Sequence, residues 1–250
     1  MTAERILVYL ALVLYLSGLA LSIFKLHKQS TTFVLLGIAL QATSLILRTI
    51  FSKHAPFSDI YESFNFFSFC VIIADLVLIK IKKISKITLS ISIILLILSL
   101  IFYKQPTSLP PALNSFWFLI HVPASFLSYG FFASAFSSAL QMLFSKSKEN
   151  EENLFDISYL SVRNAFSLLT VGIVTGSLWA KSAWGSYWSW DPKETSSLVL
   201  WFVYLFYFHL SNRKTWRGKK IALLLIFGFV IVIFTFIGLN FLPIESLHRY

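Results

Sequence analysis

The sequence predicts an all-α fold: a polytopic transmembrane helical bundle of about eight helices, with both termini on the outer side of the membrane. Three observations predict it. Hydrophobic residues fill 57% of the 250 positions and charged residues only 13%, where a soluble domain carries roughly a quarter charged residues. The apolar residues gather into eight runs, most approaching the ~20 residues that cross a hydrocarbon core. Most of the 21 Lys and Arg residues lie in short loops between those runs, and they form no basic domain. The net charge of +10 therefore reads as membrane orientation, and no nucleic-acid partner is expected.

The first run, Ile6–Phe24, ends in Lys25, His27 and Lys28 without a small-residue cleavage pattern, so it reads as a retained helix and not a signal peptide. Thr32–Ile50, Phe64–Ile79 and Ile87–Phe102 follow. Phe116–Gln141 is long enough to project beyond the bilayer. Ala165–Trp179 comes after a charged, solvated linker at Lys146–Glu152, and Ser197–Leu210 is short, its outer end reaching back toward Thr195. Ile221–Phe241 closes the series. Strand alternation is absent, and only helices satisfy their own backbone groups in lipid. One integral membrane domain over 1–250 is expected, with an outer Trp-rich loop at 181–196.

Orientation follows from the basic residues. The loops after runs one, three, five and seven hold 14 of the 21, among them Lys25, Lys80, Lys146 and Arg213. The opposite side holds the rest, which puts both termini outside. The loop Phe51–Tyr61, the Trp-rich loop, the tail Leu242–Tyr250 and the start of the fifth run then share the outer side.

Chemistry is concentrated there. Trp179, Trp184, Trp188 and Trp190 fall within a dozen residues, with Tyr187 among them and Gly185 and Pro192 bracketing the loop with turn chemistry. An interfacial aromatic belt is one reading; a platform for a flat ligand is the other, favoured because the aromatics crowd one loop. Imidazole is the usual axial ligand of heme iron. His121, near the outer end of the fifth run, and His248, in the tail, flank the loop on the same side and are candidate ligands. His209 lies toward the inner part of the seventh run, where an ionisable group is a functional candidate. Arg48 either snorkels to headgroups or pairs with a ligand carboxylate. Asp75 reads as structural. The single Cys70 excludes an internal disulfide or a CxxC redox pair, and no CxxCH marks a covalent heme carrier.

The stretch Trp184–Thr195, WGSYWSWDPKET, resembles the WWD signature of heme-handling proteins, and its DPKET ending is similar to the CcsA-type membrane subunits of System II cytochrome c maturation. His54–Ser63, HAPFSDIYES, resembles the HxPxSNxYES stretch of that family. Gly238-Leu239-Asn240 with Leu247-His248 is similar to its GVN…LH ending. Ser196 and Asp59 depart from the family, which often has Trp and Asn there. The resemblance implies heme b (iron protoporphyrin IX) held between His121 and His248. Trp184, Tyr187, Trp188, Trp190 and Asp191 would then form the porphyrin surface, and His209 would mark a second, intramembrane heme position. It implies a CcsB (ResB)-like partner subunit, apocytochrome c as the acceptor, and a bacterial inner or thylakoid membrane location. The expected function is presentation of reduced heme for attachment to CxxCH, and whether that makes the chain an enzyme is partly a matter of definition. The alternative is a heme transporter without assembly activity. A b-type electron carrier would need intramembrane His pairs within the chain.

Overall fold

The computed structural model describes residues 2–79, 84–239 and 246–247. Among these residues the fold is helical throughout, with no strand. Eight α-helices follow in order: α1 (Ala3–Ile23), α2 (His27–Ser52), α3 (Ile60–Ile79), α4 (Lys86–Ile101), α5 (Phe116–Leu143), α6 (Lys148–Trp184), α7 (Pro192–Ser211) and α8 (Lys219–Ile233). A π-helical turn, Phe234–Gly238, continues α8. Each of the eight apolar runs corresponds to one helix.

Six of the helices are long and apolar enough to cross a membrane: α1, α2, α3, α5, α6, and α8 with its π-turn. The other two fall short for different reasons. At 16 residues, α4 rises only about 24 Å against a hydrocarbon core of about 30 Å. α7 has 20 residues but opens on Pro192-Lys193-Glu194-Thr195-Ser196-Ser197.

Two expected boundaries are corrected. The charged segment Lys146–Glu152 is not a linker along its whole length, because helix begins at Lys148. Acidic Glu149 and Glu151 in that first turn suit the positive end of a helix dipole. The Trp-rich loop is shorter than 181–196: α6 runs to Trp184 and α7 starts at Pro192, leaving seven irregular residues.

The chain divides into two compact units, residues 1–114 and 115–250. In the first, α1 packs on α2 and α4, and α3 on α4. Polar side chains link these helices where lipid offers no hydrogen bonds. Tyr15 donates to Gln41 Oε1 at 2.7 Å, and Gln41 Nε2 donates to Asn65 Oδ1 at 2.9 Å, so one chain of bonds ties α1, α2 and α3. Ser68 and Ser92 join α3 to α4 at 2.8 Å. Asp75 is structural, as expected, but through a helix end: it accepts from Ser85 N at 2.9 Å and Thr88 Oγ1 at 3.1 Å, capping α4.

In the second unit α5 packs along α6 and also on α8, and α7 touches both α6 and α8. Ser128 donates to Ala165 O at 2.8 Å, and Trp201 Nε1 to Thr170 Oγ1 at 3.0 Å. Phe132 stacks on Tyr204 with centroids 3.7 Å apart. The start of α5, the end of α6 and the start of α7 share one end of this unit.

Candidate functional site

The site begins where α6 stops. Gly185 takes φ 83°, a left-handed conformation that costs glycine little, and its N–H bonds Lys181 O. Lys181 Nζ folds over to donate to Gly185 O at 2.9 Å and sits 5.4 Å from the Tyr187 ring. At the other end, Asp191-Pro192-Lys193-Glu194 starts α7 with a capping box and Pro at its first turn. Glu194 Oε2 accepts from Ser189 N at 2.7 Å and Asp191 N at 3.2 Å, clasping the loop from inside. Thr195 Oγ1 donates to Trp190 O. Trp190 itself has φ 57°, strained for a residue with a side chain, and this clasp holds it there.

The aromatics divide into a base and a face. Trp179 is buried, 5.4 Å from Phe118 and edge-on to Trp184 at 4.9 Å. Trp188 and Trp190 meet perpendicularly at 5.8 Å. Tyr187 and Trp190 project outward, 55% and 70% exposed.

His121 stands beside the base. Its ring is stacked on Trp179 at 5.8 Å and 15°, and Nδ1 lies 2.7 Å from Gly172 O. A carbonyl only accepts, so Nδ1 carries the proton and Nε2 of the neutral ring carries the lone pair. Gly176 makes the room: a Cβ there would lie 2.7 Å from His121 Nδ1. Pro123, two residues on within α5, has no N–H to give the preceding turn.

Asp191 is buried and spends both carboxylate oxygens on the chain. Oδ1 accepts from Lys193 N at 2.9 Å and Ser246 Oγ at 3.1 Å, and Oδ2 accepts from Leu247 N at 2.6 Å. The loop is thereby joined to the C-terminal segment immediately before His248. His248 itself lies outside the described residues. Lys193 is half-buried beside this aspartate; burial pulls its pKa down to about 8, with the Asp191 charge opposing.

His209 is in the last turn of α7, about 26 Å along the helix from Pro192. It is exposed, in an open groove lined by Phe202, Leu205, Phe206, Phe208 and Asn212. Arg213 Nη2 lies 3.0 Å from its Nε2. Arginine only donates, so Nε2 again carries the lone pair.

Arg48 belongs to the first unit. It is 1% exposed in the first unit, with Nε on Glu62 at 2.7 Å, Nη1 on Glu4 at 3.1 Å and Lys104 O at 2.9 Å, and Nη2 on Asp59 at 3.1 Å. The carboxylates it pairs with are the chain's own, and four of its N–H directions are used. The Asp59 carboxyl is raised by burial and by Glu62, against the opposing effect of Arg48.

The structure thus brings His121, Trp179, Trp184 and the loop together, ties Asp191 to the tail, and sets His209 at the far end of α7. Gly176 and Glu194 are neighbours in this arrangement that the sequence reading did not single out. The Asp191-x-x-Glu194 spacing, with Pro192 inside it, was the available signal for Glu194. Among the described residues no cluster of His, Cys, Asp and Glu could hold a bare metal ion.

The sequence profile of the family described as Cytochrome C assembly protein matches residues 57–248. The chain is 32% identical to the cytochrome c biogenesis protein CcsA of Prochlorococcus marinus subsp. pastoris, over 98% of this chain and 91% of that one. It is also 32% identical to CcsA of Chlamydomonas reinhardtii, over 94% of this chain and 72% of that one. Among solved structures it is similar to the cytochrome c heme lyase CcmF, with a TM-score of 0.70 and 15% identity, over 94% of this chain. The chain spans 47% of CcmF, and at that identity the likeness shows a shared fold.

Proposed function

Since the chain belongs to the cytochrome c assembly protein family, as a multi-pass membrane protein with a role in cytochrome c biogenesis, we propose that it presents reduced heme b at the outer membrane face for covalent attachment to the CxxCH segment of apocytochrome c, in company with a CcsB-like subunit. The observation that carries this reading is the His121 arrangement. Its Nδ1–H is committed to Gly172 O, and the ring is held against Trp179. Metal-binding histidines are oriented in this way, by a bond from the other ring nitrogen. Nε2 is then the iron ligand.

His248 is the second ligand in this reading. Two nitrogen ligands keep the iron six-coordinate and leave oxygen no open position. Tyr187, Trp188 and Trp190 offer flat apolar surface for the porphyrin, supported from below by Trp184 and by Asp191 in the turn. An incoming CxxCH histidine replaces one ligand. Each thiol then adds across a vinyl C=C, sulfur to one carbon and hydrogen to the other, with no net electron transfer. The chain contributes position and protection of the reduced state.

His209, in its apolar groove, is the ligand of a second heme position, its other ligand coming from the partner subunit. That exposed histidine also favours the rival reading, a heme transporter without assembly activity. Heme flux in vesicles lacking apocytochrome separates the two: transport at a full rate there supports the rival.

The test of the main reading is the absorption spectrum of the chain purified with its partner, expected to be six-coordinate and low-spin. His121→Ala should lower heme content severalfold and convert the remainder to five-coordinate. An unchanged spectrum and normal cytochrome c assembly in that variant would overturn the ligand assignment.

A further inference from the structure

We propose that Lys181 recognises a propionate of the porphyrin at the edge of the aromatic loop, and so decides which half of the ring turns away from the end of α6. The proposal rests on the reading of Tyr187, Trp188 and Trp190 as the porphyrin surface, and deepens it. Iron ligation and aromatic stacking leave one part of heme unserved, its two carboxylates. A carboxylate drawn against an apolar surface needs a cation or a hydrogen-bond donor. Arg48, the expected partner, is committed to Glu4, Asp59 and Glu62 in the first unit. Two lysines flank the aromatic loop instead. Lys193 is half-buried beside the Asp191 carboxylate. Lys181 is exposed, in the last turn of α6.

The fold holds the Lys181 ammonium in place. Nζ donates to Gly185 O at 2.9 Å and lies 5.4 Å from the centre of the Tyr187 ring, within reach of that ring's negative face. An ammonium has three N–H donors, so two remain after the Gly185 bond. The Tyr187 side chain is 55% exposed and that of Trp190 70%. A flat ring laid on Tyr187 therefore meets a fixed cation beside it. An open aromatic face with such a cation suits an aromatic acid better than a purely apolar ring. In protoporphyrin the two propionates lie on adjacent pyrroles, and the two vinyls lie on the other half of the macrocycle. A propionate on Lys181 thus turns the vinyl half, where the thiols add, away from the end of α6. A lysine in a last turn also suits the negative end of a helix. That role is indifferent to what is bound, which gives the experiment its contrast.

The experiment titrates two probes, metal-free protoporphyrin IX and its dimethyl ester, against the complete complex with its partner from heme-depleted cells, read by porphyrin fluorescence. Neither probe carries iron, so the histidine assignments do not enter. Each affinity is taken as the ratio of variant to wild type, which cancels the ester's greater partition into detergent. Lys181→Met keeps an apolar stem and removes the charge. It should weaken the free acid about fivefold, the upper range for an exposed ion pair, and leave the ester unchanged. Lys181→Arg should restore the acid. Equal weakening of both probes would make Lys181 a helix-end residue only and overturn the proposal, as would an unchanged acid affinity. Trp190→Ala tests the surface beneath and should weaken both probes. If it does so while Lys181→Met weakens neither, the surface reading survives and the proposal is wrong. If Trp190→Ala alters neither, the surface reading itself falls and takes the proposal with it.

Discussion

His121 has its usefulness from a neighbour with no side chain. With a Cβ at position 176 only 2.7 Å from Nδ1, Gly176→Val has to push the ring off Gly172 O. We expect that variant to lose heme nearly as fully as His121→Ala while still inserting into the membrane, with Gly176→Ala intermediate. Heme stain and absorption on purified protein check the order. Lys193 supplies a different kind of residue-scale prediction. Its folded pKa of about 8 lies below the roughly 10.4 of an unfolded lysine, so the unfolded chain binds the proton more tightly. The cost of burying the charge is fully present below pH 8. Stability rises as pH climbs from about 8 to about 10.4 and then levels off. Thermal midpoints in detergent at pH 7 and pH 10 should differ in that direction, and Lys193→Met should flatten the difference.

At the scale of the element, the segment that matters is the turn from α6 to α7. Gly185 ends one helix, the Asp191–Glu194 box begins the next, and Glu194 reaches back to Ser189 N. Glu194→Ala removes the N3 half of the capping box together with the support of the strained Trp190. It should raise protease cleavage and hydrogen exchange within residues 185–191 while leaving α5 and α8 protected. Unchanged exchange there would show the loop to be held by something else. Much of this element was legible in the sequence, since WGSYWSWDPKET carries its own turn residues and its own cap. The length of α6 was not. The polar residues Lys148–Glu152 read locally as solvated chain, and only packing onto α5 and the dipole-matched first turn continue the helix through them. The stacking of Trp179 on His121 was also hidden, because 58 residues of sequence separate them.

For the whole molecule, the two units differ in what holds them. The second carries the aromatic site. The first is organised about Arg48, which gathers Glu4 from α1 and Asp59 and Glu62 from the start of α3. Arg48→Met leaves those carboxylates without their cation, and removing one partner from a buried pair typically costs about 3–5 kcal/mol. The expected result is loss of folded protein in detergent before any change in heme affinity. Normal stability with selective heme loss would return Arg48 to the ligand. The number of helices and their apolar faces were legible because lipid demands long apolar runs. The Arg48 cluster was not, because a lone arginine at a helix end has the same local pattern whether it faces a propionate or three internal carboxylates. Glu4, 44 positions away from Arg48, offered no signal at all.

The 37 residues of α6 make a rod about 56 Å long, nearly twice the thickness of the hydrocarbon it crosses. Such a rod is a lever with its fulcrum inside the bilayer. A tilt of about 5° about a fulcrum near its middle would sweep Trp184 through about 2.4 Å. Whatever presses on the acidic first turn at Glu149 and Glu151 is therefore felt at the base of the Trp loop. Spin labels at the two ends of α6, read with and without apocytochrome, would register that stroke; distances that never change would mean the rod only stands.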